Sequence, residues 1–399
     1  MPDAEKIPIA MISNSMPPYR LHVHQRVVRE MKELQVWTLR TNIEDERWLA
    51  ISDQDAAEIG LVSFGAVSCW DQGKPKYWRR EWSVGGKLID WIRDHGIRAI
   101  VLVGYNDPGR LRLLLWCKWQ GIPVFIWGDS NIGDENANLR GHWFKALLKK
   151  LIVPRLLSLG AGAFSFGNAG KAYFQKYGVR ADRIFFFPLE PDYQAIRRLS
   201  PESIARARDR YGLVEGRRRF LFCARMAAMK RPDLLVEAFC AIAQRRPNWD
   251  LVMVGDGEMR QEVEGQTPVS LRQRVVWTGH VADQEMVRAV QRCCDVLVLP
   301  SDREPWALVI NEALAAGMAI VSSAVAGAAV DLVRDGVNGF TFAAGDRSAL
   351  EMCLVDVSDE SRLASLRAMA APALADWIEK ADPVLGLRKA LQSVGVLKR

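Results

Sequence analysis

The 399-residue sequence predicts an α/β protein built from two doubly wound domains. Three observations carry this. The length exceeds the ~100–200 residues usual for one domain. Short, β-rich apolar runs alternate with longer helical patterns, as buried parallel strands and their crossover helices require. The alternation stops at a proline cluster, Pro188, Pro191 and Pro201, and then begins afresh.

The first series of expected strands is Ile7–Ile12, Val36–Leu39, Gly60–Phe64, Ala99–Val103, Pro123–Trp127, Ala163–Phe166 and Ile184–Phe187. Amphipathic segments such as Val23–Leu34 and Lys87–His95 separate most of them, whereas Asn42–Trp82 is the least regular stretch. The second series is Phe220–Cys223, Trp249–Val254, Val275–Trp277, Val296–Leu299, Ala319–Ser322 and Gly339–Phe342. Only helical patterns follow, ending with Asp376–Val394. The expected division is 1–195, 196–372 and a C-terminal helical segment over 373–399.

Hydrophobic residues make up 49% and charged residues 25%, which excludes a disordered chain, a fibrous rod and a small disulfide scaffold. No apolar run reaches the ~18 uncharged residues of a spanning helix. The start, MPDAEKIPIAMI, lacks the basic region of a secretory signal. Seven cysteines without a CxxC or Cys/His spacing read as free thiols, so a cytoplasmic setting is expected. The histidines lack metal-ligand spacing, so no metal is expected.

The net charge of +7 is local. Residues 101–200 hold 14 basic and 7 acidic side chains, whereas residues 1–100 hold 14 of each and residues 201–399 hold 26 of each. Within the basic hundred, His142–Arg155 reads as an amphipathic helix. Lys145, Lys149 and Arg155 alternate there with Trp143, Phe144, Leu147, Leu148 and Leu151. Such a segment suits peripheral attachment to an anionic membrane on its inner face. A core-facing helix with a solvated basic side has the same pattern. No zinc finger, RRM-type aromatic motif or helix-turn-helix accompanies the charge, so nucleic acid is not the expected partner.

The most informative stretch is Pro300-Ser-Asp-Arg-Glu304-Pro-Trp-Ala-Leu-Val-Ile-Asn-Glu312-Ala-Leu-Ala-Ala-Gly317. It follows the strand Val296–Leu299, and Pro305 suits the first position of a helix. First-turn amides at Ala307, Leu308 and Val309 then face outward at the strand's C-terminal end, where phosphate binds in open α/β sheets. Glu304 stands before the helix and Glu312 about two turns along it. One carboxylate can accept from sugar hydroxyls and the other from a ribose. Two glutamates at this spacing also occur on any solvated helix face.

The surroundings are more specific. Glu304–Glu312 resembles the Glu-x7-Glu signature of retaining glycosyltransferases of family 4, which adopt the GT-B fold. Ala224-Arg225 with Lys230 resembles the family's diphosphate-holding element, and Leu251–Glu258, with Gly255, resembles its Val-Gly-x-Gly strand end. Thr278-Gly279-His280-Val281 followed by Cys294–Ser301 resembles the nucleotide-lining segment, and Ala326–Val333 with Asn338-Gly339-Phe340 the end of the donor domain. Three positions depart from the pattern. Ala307 and Ala224 stand where the family has glycine, and Pro305 removes an amide.

The resemblance implies two Rossmann-like domains facing across a cleft, with the C-terminal helix crossing back onto the first. It implies a nucleotide-diphospho-sugar as donor substrate and no other cofactor. Arg225 and Lys230 are expected to stabilise the leaving diphosphate, Glu304 to hold the donor sugar and Glu312 the ribose. In the first half, Asn14, Tyr19 and Arg20 resemble an acceptor-side loop in its Pro-Pro-Tyr-Arg form. Asp129, after Phe125-Ile-Trp127-Gly, is the candidate contact to the transferring sugar or acceptor hydroxyl, and a helix cap fits it equally well. Tyr105, Asn106 and Asp107 follow another strand end and suit the acceptor side or a plain turn. The expected reaction is retaining, metal-independent transfer to a saccharide or lipid-linked saccharide, in surface polysaccharide or glycolipid assembly. A sugar-nucleotide epimerase of the same architecture and a non-catalytic sugar-nucleotide-binding protein are the alternatives.

Overall fold

The computed structural model describes residues 5–41, 51–64, 75–105, 107–139 and 143–398. The chain divides into two units. The first is Met1–Ile132, Leu139–Glu190 and Ala381–Arg399; the second is Gly133–Asn138 and Pro191–Lys380.

From its start the chain runs β1 (Ile7–Ser13), α1 (Pro18–Glu30), β2 (Leu34–Arg40), α2 (Asp53–Glu58), β3 (Leu61–Ser63), α3 (Pro75–Asp94) and β4 (Ala99–Val103). It continues with α4 (Pro108–Gln120), β5 (Val124–Gly128), α5 (Ile132–Leu139), α6 (Trp143–Leu157), β6 (Gly162–Ser165), α7 (Asn168–Lys176) and β7 (Ile184–Phe186). These strands form a parallel sheet of order β3-β2-β1-β4-β5-β6-β7. Its middle strands are buried on both faces, which is why they read as unbroken apolar runs.

The second unit begins with α8 (Tyr193–Arg197), α9 (Pro201–Arg210), β8 (Arg218–Cys223), α10 (Pro232–Ile242), β9 (Trp249–Val254), α11 (Arg260–Gln266) and β10 (Val275–Gly279). Then come α12 (Gln284–Arg292), β11 (Val296–Leu299), α13 (Leu308–Ala315), β12 (Ala319–Ser323), α14 (Gly327–Leu332) and β13 (Gly339–Phe342). Its sheet is parallel with order β10-β9-β8-β11-β12-β13. Phe220, Phe222, Phe239, Leu251, Met253 and Val298 fill its core.

Four helices end the chain: α15 (Arg347–Val357), α16 (Glu360–Ala368), α17 (Ala370–Lys380) and α18 (Pro383–Ser393). The single helix expected over Asp376–Val394 is thus two. Asp382 caps α18 by accepting from the Leu385 amide, and Pro383 occupies the first turn, so the chain stops and restarts there. Trp377 of α17 packs on Trp306 in the second unit, at 5.3 Å between ring centroids. The α18 segment belongs to the first unit, where Gly386 lets it press on β7; a Cβ there would stand 1.7 Å from the Phe186 carbonyl oxygen. Arg26 of α1 anchors it further, donating to Asp382 at 2.7 Å. Two earlier boundaries also differ from expectation. Pro18 starts α1 five residues before Val23, and Leu34 already belongs to β2.

Candidate active site

The second sheet reverses its strand order between β8 and β11. In an open α/β sheet ligands bind outside the strands' carboxyl ends at such a point. The loops leaving those two strands meet here. The Asp302 amide donates to the Met229 carbonyl at 2.9 Å, and Arg231 pairs with Asp233 at 3.0 Å and Asp302 at 3.3 Å. Lys230 Nζ donates to Glu304 Oε2. The two side chains are only 18% and 10% exposed, so their charges are weakly screened.

The backbone around Glu304 is held from outside. The Gly327 amide donates to the Glu304 carbonyl at 3.3 Å, and the Ala328 amide to the Trp306 carbonyl at 2.7 Å. Residues 304–306 therefore stay outside the helix, and Ala307 turns the chain at φ 79°, ψ 67°. The helix expected to open at Pro305 opens instead at Leu308, because these carbonyls are engaged by α14. Leu308 and Val309 stand in the first turn of α13, with Ala307 just before it.

Glu312 lies further along α13 and accepts from Gln291 Nε2 of α12 at 2.8 Å. Burial pushes its carboxyl above the usual range, while Gln291 and Arg288 pull the other way. Cys223, at the end of β8, belongs to the same cluster, its thiol pushed up to about 12 by burial and by Glu312. Among the described residues Gln291 Oε1 is buried without a hydrogen-bond partner, leaving an acceptor beside Glu312.

The ends of β8, β9 and β10 carry the other expected donor residues. Arg225, after β8, is exposed and pairs with exposed Glu258 at 3.1 Å. Gly255, after β9, has φ 127°, and a Cβ there would stand 2.0 Å from the Ala224 carbonyl oxygen. Only glycine lets these two loops touch. His280 and Val281 follow β10, the histidine exposed and the valine partly so.

The first sheet reverses its order between β1 and β4. Asn14, after β1, accepts from Arg110 Nη2 of α4 and from Thr41 Oγ1 at 3.3 Å. Arg110 is buried and donates to Asp107, which also caps α4. Tyr19 and Arg20 lie in the first turn of α1, where a loop was expected. The Arg20 guanidinium donates to the Ser15 carbonyl at 2.8 Å and lies 5.4 Å over the Trp127 ring. Burial lowers its pKa, opposed by the charges of Tyr19 and Asp129. Asp129 is exposed and precedes α5 by three residues, so it does not occupy that helix's capping position. Tyr105 hydrogen-bonds through its hydroxyl to that of Tyr173 at 2.8 Å. Asn106 and His142 lie outside the described residues. Arg110, Gln291 and Arg231 were not singled out in the sequence, since their partners lie far along the chain or carry no motif. Among the described residues no group of three or more His, Cys, Asp or Glu side chains is placed to hold a metal.

A family model described as "Glycosyl transferases group 1" matches residues 203–368. The chain is 30% identical over 221 residues to D-inositol 3-phosphate glycosyltransferase of Nocardia farcinica, a match covering 52% of this chain and 48% of that protein. It is also 30% identical to mannosylfructose-phosphate synthase of Agrobacterium fabrum, covering 36% of this chain and 33% of that one. The chain thus spans half or less of the length of the curated relatives it matches. Solved structures match over nearly the whole chain. Sucrose-phosphate synthase from Thermosynechococcus elongatus gives a TM-score of 0.75 at 18% identity, covering 98% of this chain and 100% of that one. Anabaena Alr3699/HepE in complex with UDP gives 0.73 at 19% identity, with the same coverage. Two Rossmann-like units in the GT-B fold are therefore the architecture of this chain, and its second unit is similar in sequence to group 1 glycosyltransferases.

Proposed function

We propose that the protein is a retaining glycosyltransferase. It moves a sugar from a nucleotide-diphospho-sugar to a saccharide or lipid-linked saccharide, in surface polysaccharide or glycolipid assembly. The observation that carries this is the meeting of Lys230 with Glu304 at the switch point of the second sheet, with Glu312 on the helix α13 that follows Glu304. Glu304 neutralises Lys230 through this pair. A donor diphosphate takes over the ammonium and frees the carboxylate to accept from sugar hydroxyls. Lys230 and Arg225 then stabilise the charge that develops on the leaving diphosphate. Glu312 accepts from the ribose, with Gln291 holding its other side.

Attack comes from the face the diphosphate leaves, and the departing phosphate oxygen takes the acceptor proton. The protein's part is positioning and electrostatics. UDP in the Anabaena neighbour supports a nucleoside diphosphate as the group bound. Asn14, Tyr19, Arg20, Tyr105 and Asp129 form the acceptor side in this reading. The basic helix α6 brings a lipid-linked acceptor within reach by resting on the anionic inner face of a membrane; among the described residues no helix is long and apolar enough to cross one.

A panel of nucleotide sugars, read by thermal shift and by release of nucleoside diphosphate, tests the proposal. One donor should raise the melting midpoint and turn over, with the product keeping the anomeric configuration. Inversion at a sugar carbon without transfer would mark an epimerase, and binding without turnover a non-catalytic protein. Two cations and the α13 terminus supply the positive charge, so a chelator should leave most of the activity. Loss with the chelator and recovery with Mg²⁺ or Mn²⁺ would overturn that part.

A further inference from the structure

The apolar stripe of α6 does not face the core. Only Val153 and Leu157 of this helix are buried, whereas Trp143 is 75% and Phe144 63% exposed, and Leu147, Leu148, Leu151 and Ile152 are also open to solvent. The two rows, 143/147/151 and 144/148/152, repeat every four residues and so share one face of the helix.

A second set of exposed apolar side chains stands on α3 and α4. Trp78 and Trp82 are spaced four apart on α3, Leu115 and Trp119 four apart on α4, and all four are exposed, Trp119 to 81%. The helix pair is held rigidly. A Cβ on Gly85 would meet the Gly109 carbonyl oxygen at 2.6 Å, so the backbones touch, and the Arg112 guanidinium lies 5.1 Å over the Trp82 ring.

Both sets lie on the same side of the first sheet. Val124 packs in the core under α3 and α4, and Ile126 in the core under α6 and α7. These residues are two apart on β5 and point the same way. Trp127 points the other way, toward α1, with its ring 6.3 Å from that of His24. The charge follows the same division. Residues 77–94, 108–120 and 143–157 of α3, α4 and α6 hold eleven basic and three acidic side chains, whereas α1, α2 and α18 hold five and four.

We propose that α3, α4 and α6 form one membrane-docking face with two aromatic anchors, whose partner is an anionic lipid bilayer. This rests on the reading of α6 above and extends it to Trp78, Trp82, Leu115 and Trp119. Tryptophan suits the headgroup level, where its ring is buried and its N–H stays wet, and the basic side chains meet lipid phosphate. Anchors on separate helices fix the orientation of the unit on the bilayer, which a single helix leaves free to roll.

The test uses the whole protein without donor or acceptor. Vesicles of phosphatidylcholine with phosphatidylglycerol should retain it at low salt and release it at high salt, and pure phosphatidylcholine should not. Lipids brominated on the acyl chain should quench its tryptophan fluorescence. Lys145→Gln with Lys150→Gln should lower partitioning about twenty-five-fold, each charge being worth about fivefold. Trp78→Ser with Trp119→Ser should lower it at least about tenfold. The positions are exposed, so an unchanged melting midpoint will show that the variants fold.

If the tryptophan pair binds like wild type while the α6 variants do not, the second anchor is absent and the inference fails, leaving the reading of α6 standing. Equal retention by neutral vesicles would also overturn it. So would concentration-dependent self-association that the tryptophan variants abolish, because the face would then belong to a second copy. Nucleotide-sugar turnover is measured separately on soluble acceptors, so neither result stands in for the other.

Discussion

The two sheets share a strand order up to one extra edge strand, and at each switch point a cation from the segment after one strand reaches a group after the other. What differs is whether that cation is committed. In the first unit Arg110 is buried, bound to Asp107 beside it and to the Val103 carbonyl at 2.7 Å, and it uses another N–H on Asn14. In the second, Lys230 holds a single carboxylate, Glu304, and Arg225 stands exposed with an exposed partner. The first arrangement closes a loop pair; the second can exchange a carboxylate for a ligand anion. The same contrast runs through the surfaces. Among the described residues the exposed tryptophans and phenylalanine all lie in the first unit, while the large apolar side chains exposed in the second are valines and methionines.

Substituting the two cations should separate these roles. Arg110→Ala leaves the Asp107 carboxylate buried and unpaired. It should cost about 3–5 kcal/mol of stability, seen as a lower urea midpoint for the first unit. Donor binding to whatever remains folded should be unchanged. Lys230→Ala takes a charged partner from the largely buried Glu304, so it too should lower the melting midpoint, but unlike Arg110→Ala it should also lower kcat about 10²–10³-fold. Glu304→Ala should likewise lower turnover more than it weakens nucleoside diphosphate binding. A Lys230→Ala enzyme with normal turnover would return that lysine to a structural role and erase the contrast.

Glu312 gives the next effect. Glu312→Ala should weaken donor binding by about 1–3 kcal/mol, measured as a change in Kd by titration calorimetry. The raised pKa adds a pH signature. The carboxylate takes its proton at a higher pH than an ordinary glutamate, so KM for the donor should climb as pH falls, beginning above the usual carboxylate range. Glu312→Gln should flatten that rise. For folding stability the sign reverses. The folded state holds this proton more tightly than the unfolded chain does, so the group's contribution to stability is full below the unfolded pKa. It is lost as pH rises through the folded value. Donor affinity and this group's contribution to folding stability should therefore move in opposite directions with pH, and Glu312→Gln should remove Glu312's part of both trends.

The sheets were legible in the sequence for a physical reason. Strands buried on both faces must be apolar throughout, so runs such as Ala99–Val103 and Val296–Leu299 stand out without any periodicity. The break between α17 and α18 was also written there, in Asp382-Pro383, a capping residue before a first-turn proline, but a continuous helical pattern hid it. Long-range partners left no such trace. Arg110 meets Asn14 across 96 residues and Gln291 meets Glu312 across 21, and neither spacing is local to any element. Periodicity identified α6 as amphipathic but could not say which side it buries. Exposure of Trp143 and Phe144 decides that, and it is a property of tertiary packing.

The smallest expected effect concerns Ala307, where both the sequence pattern and the backbone point to glycine. Among the described residues only Arg231 and Ala307 hold positive φ without being glycine, at 52° and 79°. Arg231 is fastened by Asp233 and Asp302, so its conformation has a visible compensation. Ala307 is held instead by its neighbours in the chain, since the carbonyls of Glu304 and Trp306 are fixed on α14 and α13 must start at Leu308. A left-handed non-glycine residue costs about 1–2 kcal/mol, partly offset by the greater freedom glycine has in the unfolded chain. Ala307→Gly should therefore stabilise the second unit by up to about 1 kcal/mol, seen as a rise of a few degrees in its melting midpoint. The methyl group also stands beside the first-turn amides of Leu308 and Val309, so its removal should leave donor Kd unchanged or lower it. A lower midpoint in the variant would mean that the methyl packs well enough to outweigh the strain. The loop after β11 would then be shaped by its core contacts rather than by the ligand it admits.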